Sequence, residues 1–333
     1  LIILFRNVLI ARLISVENFG IASTFAIAIG VIEMLSNVSL DRMIVQAKDG
    51  ERPDLQRALQ GIQVVRGAAG AALMFVLAGV YASVMGLPDI VWAFQLLALY
   101  PLLRAFTHLD VFRFQRAMRF APHVVTQVAS QALSLLAVWP LAWFFGDFQV
   151  TLWAILAQQA MFLVLSHAFA ERRYGIGWDR ATFNQAMAFG LPLLGNAVLV
   201  FATFNGDRAI IANQIGMETL GWFSVALTLT LAPTTVLAQT LQSFFLPQLS
   251  KLQEDAAQFA RMAYTTIEAG FLVSAAQAIG FALFGPAVLI LLFGSKYGQA
   301  LEVLIWLAVM QAIRVAKAGP VIVAIAKGET RNP

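Results

Sequence analysis

FNGDRAIIANQIGMETLGWFS, residues 204–224, sets Asp207 and Arg208 side by side in a stretch whose neighbours are mostly apolar. A charge at the centre of a membrane costs at least about 2.5–3.5 kcal/mol, so a pair of them asks for a functional reason. The surrounding chain gives the setting. Of its 333 residues 60% are hydrophobic and only 12% charged, with a mean hydropathy of +0.77. A soluble domain carries about a quarter of its residues as charges and could not bury this much apolar surface at this length. Lipid is the solvent for most of the chain.

Ten apolar runs follow one another, at about 1–14, 18–40, 62–86, 90–112, 122–145, 149–170, 186–215, 220–247, 262–285 and 299–326. Most have the ~20 residues that a helix needs to cross the hydrocarbon core. None alternates apolar with polar as a barrel strand does, so the spans are helices. If the first leaves the cytoplasm, the inner connections carry Arg42, Lys48, Arg52, Arg57, Arg66, Arg113, Arg116, Arg119, Arg172, Arg173, Arg180, Lys251, Arg261, Lys327 and Arg331. The outer ones carry Arg12 and Lys296. This bias puts both visible ends in the cytoplasm. Removing those 15 and 2 from the 22 basic residues leaves five within spans: Arg6, Arg104, Arg208, Arg314 and Lys317. Glu33, Asp207 and Glu268 are the acids there. The chain starts without Met inside an apolar run and stops in a polar stretch, which reads as a fragment cut at both ends.

The opening stretch has an earlier counterpart. RNVLIARLISVENFGIAS (6–23) lies over DRAIIANQIGMETLGWFS (207–224) without a gap, pairing Ile10, Ala11, Ile14, Glu17, Gly20 and Ser23 with Ile211, Ala212, Ile215, Glu218, Gly221 and Ser224. A second echo sets LALYPLLRA (97–105) over LAVMQAIRV (307–315), pairing Arg104 with Arg314. Span one matches span seven and span four matches span ten. The copies therefore share one orientation, as parallel repeats related by an axis along the membrane normal do. The expected architecture is an all-α polytopic membrane protein of two pseudo-symmetric helical bundles. Residues 1–180 form a six-helix bundle, and 181–333 the first four helices of the second.

The ordered series ARLISVENFG, LSNVSLDRMIVQ, FGLPLLGNAV, DRAIIANQIGMETLGWFSVA, FFLPQLSKLQ and LLFGSKYGQALEVLIWLA resembles the polysaccharide transporters of the oligosaccharide flippase (Wzx) type. These share a superfamily with multidrug exporters of the MATE type and lipid II flippases. The resemblance implies a MATE-like pair of lobes and, as substrate, an undecaprenyl-pyrophosphate-linked oligosaccharide turned to the outer leaflet of the inner membrane for surface polysaccharide synthesis. FRNVLIAR is similar to the lipid II flippase segment in which an Arg followed by an acid contacts substrate. Arg6 matches the Arg, but Asn7 stands where the acid would be. Thr228, counted back from Pro233, replaces a basic residue of that group. Both departures point to a different glycolipid.

A pyrophosphate head group crossing ~30 Å of hydrocarbon needs cations in a wet passage, and the planar fork of arginine fits phosphate. Arg6, Asn7 and Arg208 are the candidate contacts toward the outer side, and Arg104, Arg314 and Lys317 toward the inner. Their alternative role is snorkelling to the head groups. Glu33 and Asp207 are candidates for coupling to H+ or Na+, or for structural pairing with an arginine. Asn196, Asn205, Asn213, Gln239, Gln242, Gln277 and Gln311 could bind sugar hydroxyls or join helices. The tryptophans near span ends read as interfacial anchors. Cysteine is absent, His108, His123 and His167 are scattered, and no metal, cofactor or nucleic-acid site is expected. A membrane polymerase or ligase needs catalytic groups on a sizeable outer loop, and "SVEN", "GLPD" and "FGDF" leave no room for one. Polymerase and glycosyltransferases are the partners that the resemblance implies.

Overall fold

A computed structural model describes residues 2–36, 44, 51–180, 183, 184, 199, 202, 203 and 205–328. The helices are α1 (Ile2–Leu13), α2 (Val16–Ser36), α3 (Pro53–Val84), α4 (Val91–Leu97), α5 (Leu99–Ala105), α6 (Asp110–Arg116), α7 (Ala121–Phe144), α8 (Gln149–Ala168), α9 (Met217–Lys251), α10 (Ala256–Phe293) and α11 (Leu301–Ala326). Residues 205–214 are also helical. Among the described residues no strand occurs. Among the described residues seven segments are long and apolar enough to cross a membrane, and an eighth is the bent series Pro88–Ala105 with Asp110–Arg116. Two of the ten expected runs account for the difference. The given sequence holds only 12 residues of α1, the run expected to be truncated, and most of 186–215 lies outside the described residues.

Why these boundaries? α3 starts at Pro53, earlier than its apolar run at 62, because Pro at the first turn favours a start. Gln56, Arg57, Gln60 and Gln63 lower the hydropathy there without weakening the helix. Arg57 and Arg66, expected in a connection, therefore sit on α3. At the other end of the chain Asp255 caps α10, its carboxylate accepting from the N–H groups of Ala257 and Gln258 at 3.1 and 3.0 Å.

Two compact units emerge, Ile2–Gly221 and Trp222–Pro333. In the first, Phe25, Met74, Phe94, Leu97 and Leu152 form a buried core between α2, α3, α4 and α8, with Phe25 meeting Phe94 edge-on at 5.4 Å. α7 packs along α8. In the second, α10 lies along α11. Leu241, Phe245 and Leu249 meet Val315 and Ile322 in the core, and Gln277 donates to Thr234 Oγ1 at 2.7 Å. Outward residues such as Leu136, Trp139, Trp143 and Leu283 are exposed, as lipid-facing side chains must be.

The repeat noticed in the sequence recurs in space. A Cβ on Gly20 would stand 1.9 Å from the carbonyl oxygen of Met217, and one on Gly221 would stand 2.2 Å from that of Val16. Gly20 and Gly221 are repeat partners, and so are Val16 and Met217. Residue i of one copy thus meets residue j of the other, and j meets i, which is the contact pattern a two-fold axis generates. Only glycine allows backbones this close.

Candidate functional site

α5 and α6 are separated by Phe106–Leu109, with a bend of 49° across the break. A break inside a membrane frees backbone groups that must find partners. Here α3 and α8 supply them. The Gln63 amide donates to the carbonyls of Arg104, Ala105 and Thr107 at 3.1, 3.1 and 2.9 Å. Gln60 donates to Thr107 O at 2.9 Å and accepts from Leu109 N at 3.2 Å. Ser166 Oγ accepts from His108 N at 3.0 Å. Gln56, Gln60 and Gln63 recur at helical spacing, so one stripe of α3 holds the break open.

On one side of the break lies a charge cluster. Asp110 is wholly buried and takes Arg113 Nε at 2.5 Å, plus the backbone N–H groups of Glu171 and Arg172 at 2.8 and 3.1 Å. Arg113 also reaches Glu51 at 3.3 Å and Glu171 at 3.2 Å. Arg172 pairs with Glu51 at 3.2 Å. Arg119 bonds Glu171 at 2.8 Å, and that bond holds the Glu171 carboxyl below its ordinary value. Nearby, the rings of His108 and His167 lie 5.3 Å apart, with Tyr174 4.9 Å from His167. Burial pushes the Tyr174 phenol up.

On the other side is a cavity of about 320 Å³ between α3, α5, α7 and α8. Such a volume is at the lower end of the ~300–1,000 Å³ that small-molecule sites occupy. Five glutamines, Gln63, Gln127, Gln131, Gln158 and Gln159, line it together with Arg66 and Arg104. None of its described lining residues is acidic. Arg66 stands about one turn into the apolar run that begins at 62 on α3. Beside the cavity, Glu33 forms an ion pair with Arg104 and accepts from the Tyr100 hydroxyl at 2.9 Å. A smaller cleft there is shared by Glu33, Arg66, Tyr100 and Arg104. Gly67 lets α5 approach, since a Cβ would meet that of Ala105 at 2.3 Å. From α1, Arg6 Nη1 donates to Ser134 Oγ at 3.0 Å and to Gln158 Oε1 at 2.5 Å. Arg6 therefore points into the bundle and braces a cavity wall. The site offers fixed amides and cations, which suits a polyhydroxylated, anionic guest.

A family model settles where the chain belongs. The model of the polysaccharide biosynthesis proteins matches residues 9–302. The chain belongs to the polysaccharide biosynthesis protein family. Relatives include the succinoglycan biosynthesis transport protein ExoT of Rhizobium meliloti (strain 1021), 23% identical over 92% of this chain and 62% of its own length. Another is the lipopolysaccharide biosynthesis protein WzxC of Escherichia coli (strain K12), 21% identical over 93% of this chain and 63% of its own. The chain thus spans a little under two thirds of these curated relatives. In fold it is similar to the lipid II flippase MurJ in an inward closed conformation, with a TM-score of 0.77, 13% identity, and 99% and 74% of the two chains covered. An inward-facing multidrug resistance MATE family transporter of the MOP superfamily gives 0.76 at 13% identity, covering 99% and 81%. The protein is a multi-pass, all-helical membrane protein of this transporter fold.

Within this family member the expected site residues part company. Arg104 and Glu33 come together at the cavity, and Arg6 joins through Gln158. Asn7 is half-buried beside Arg6 on α1. Arg208 is half-buried on helical residues 205–214, and its backbone N–H donates to Asp207 Oδ1 at 2.8 Å. Asp207 is exposed, so the adjacent pair splits between two directions, and neither lines the cavity. Arg314 donates to Gln311 on its own helix at 3.4 Å, and Lys317 is exposed. Asn213 serves α3 by donating to Val84 O at 2.7 Å. Asn196 lies outside the described residues. The glutamines of the cavity were missed although the signal is present: Gln127 and Gln131 stand one turn apart on a mostly apolar helix. Among the described residues no three His, Asp or Glu are grouped to hold a metal.

Proposed function

We propose that the chain is part of a secondary carrier that flips undecaprenyl-pyrophosphate-linked oligosaccharide repeat units across the inner membrane for surface polysaccharide synthesis. The observation that carries the reading is the cavity at membrane depth, walled by five glutamines and two arginines with no acid among its described lining residues. Moving the head group through lipid is costly because the sugar hydroxyls and pyrophosphate lose water. Amide groups replace the water around hydroxyls, and arginine replaces it around phosphate. A multidrug cation would want the opposite sign. The names of ExoT and WzxC, a transport protein for succinoglycan and a lipopolysaccharide biosynthesis protein, support the same substrate class.

In this reading Arg104, with Arg6 bracing Gln158, receives the head group, and Asn7, Arg208, Arg314 and Lys317 are secondary contacts along the passage. Glu33 is the stronger candidate for coupling to H+ or Na+, because its partner Arg104 also faces the cavity; Asp207 is the second. The substrate crosses chemically unchanged. Residues 1–180 and 181–333 act as the two lobes of the carrier, with both ends cytoplasmic. Glycosyltransferases supply the substrate and a polymerase consumes it. The test is genetic. In a strain deleted for the gene, Arg104→Ala in the full-length protein is expected to leave repeat units on the cytoplasmic leaflet and none outside. Single repeat units displayed outside would instead indicate a polymerase, and normal surface glycan would remove Arg104 from the site.

A further inference from the structure

Three hollows in the first unit share walls. The polar cavity shares Arg66 and Arg104 with the cleft of about 40 Å³ beside Glu33. That cleft shares Ile32 with a groove of about 240 Å³ between α2 and α3. The groove is apolar along its whole length. Its one polar side chain, Tyr81, donates its hydroxyl to Thr24 O at 2.9 Å. On α3 its wall is Leu73, Leu77, Val80 and Val84, one face at helical spacing, and all four are exposed at the rim. From Leu73 to Val84 the groove runs ~16 Å, about half of the ~30 Å hydrocarbon core.

The order of environments is hydrogen-bonding, then cationic, then apolar. We infer that the groove between α2 and α3 holds the pyrophosphate-proximal part of the prenyl chain of the lipid-linked substrate, whose nearest sugar enters the glutamine cavity and whose pyrophosphate lies at Arg66 and Arg104. This rests on the flippase reading above and adds a path for the tail. A guest of sugar, pyrophosphate and polyprenyl has these three parts in this order. A phosphatidylcholine brings no sugar to the glutamine cavity, so it matches only the cationic and apolar parts of the series. Ile32 is the threshold: it lines both the cleft and the groove, and a Cβ on Gly70 would lie 3.3 Å from its Cγ2. The chain thus passes from cation to oil over one buried side chain.

The experiment uses the full-length protein in proteoliposomes with an undecaprenyl-pyrophosphate-linked oligosaccharide carrying a diazirine on the prenyl chain. Photolysis is expected to mark the Leu73–Val84 face of α3. Leu73→Gln with Leu77→Gln should lower both that labelling and flipping about tenfold, while the protein stays monodisperse. Val76→Gln is the control; Val76 is on the same helix, 74% exposed and outside the groove, and should change neither. Unlabelled substrate should displace the probe from the groove. If a diazirine phosphatidylcholine marks the face equally and substrate does not displace it, the occupant is bulk lipid and the inference falls. If the double variant flips normally, the inference also falls and the flippase reading stands. A wild-type protein that neither flips nor binds the probe overturns both.

Discussion

Arg104 and Arg113 flank one helix break and meet opposite surroundings. Arg113 is enclosed by the carboxylates of Asp110, Glu51 and Glu171, and its guanidinium also stacks 4.8 Å from the Phe114 ring. Arg104 pairs with Glu33 yet opens onto a cavity walled by amides. The first cation is consumed in holding Glu51, α6 and Glu171 together. The second is presented to a space that a guest can enter. Charge alone does not distinguish them; the cavity onto which Arg104 opens does.

The strongest way to break the comparison is at Asp110. Asp110→Ala leaves the Arg113 guanidinium and two backbone N–H groups without their central acceptor, a loss of about 3–5 kcal/mol for a buried pair broken on one side. Thermal unfolding in detergent should show it as a large fall in Tm, and an unchanged Tm would mean that the cluster is not the lock. Arg66→Ala with Arg104→Ala should do the reverse. The protein should fold, but substrate binding should weaken roughly ten- to hundredfold, the loss of one or more charge-assisted hydrogen bonds. Binding of the lipid-linked oligosaccharide to purified protein reads this directly. Gln63→Leu strips several carbonyls at the break of their donor and should cost about 1–3 kcal/mol, seen as a smaller Tm shift and as faster amide exchange at 104–109. The smallest effect is expected at Glu171. Its folded pKa is lowered by Arg119, so its stabilisation is present above the ordinary value near 4.5 and fades as pH falls through the folded one. Glu171→Gln should flatten the acid limb of the Tm–pH curve slightly; an unchanged limb would show that this exposed pair contributes nothing measurable.

The spans were legible because a helix in lipid must be apolar for about 20 residues, and hydropathy records that wherever it holds. It misplaced the start of α3, where Gln56, Arg57, Gln60 and Gln63 make a helical turn look like a connection. The break at 106–109 was invisible for another reason. No proline marks it, and it is held by Gln60, Gln63 and Ser166 from helices far away in sequence. The same holds for Asp110, whose partners come from 51, 113 and 171–172. Arg104 and Glu33 could be picked out singly, as charges inside apolar runs, but their pairing needed the fold. The repeat of 6–23 in 207–224 carried further: it anticipated two glycines that prove to sit at reciprocal backbone crossings.

The central claim is that Gln127, Gln131, Arg66 and Arg104 face a wet passage rather than lipid. These 333 residues contain no cysteine, so once any cysteine elsewhere in the full-length protein is replaced, a single one can be placed and read without background. Gln127→Cys in membrane vesicles should react rapidly with a membrane-impermeant maleimide and be shielded by the lipid-linked oligosaccharide, while Val76→Cys stays inert. A Gln127→Cys as unreactive as Val76→Cys would contradict the account.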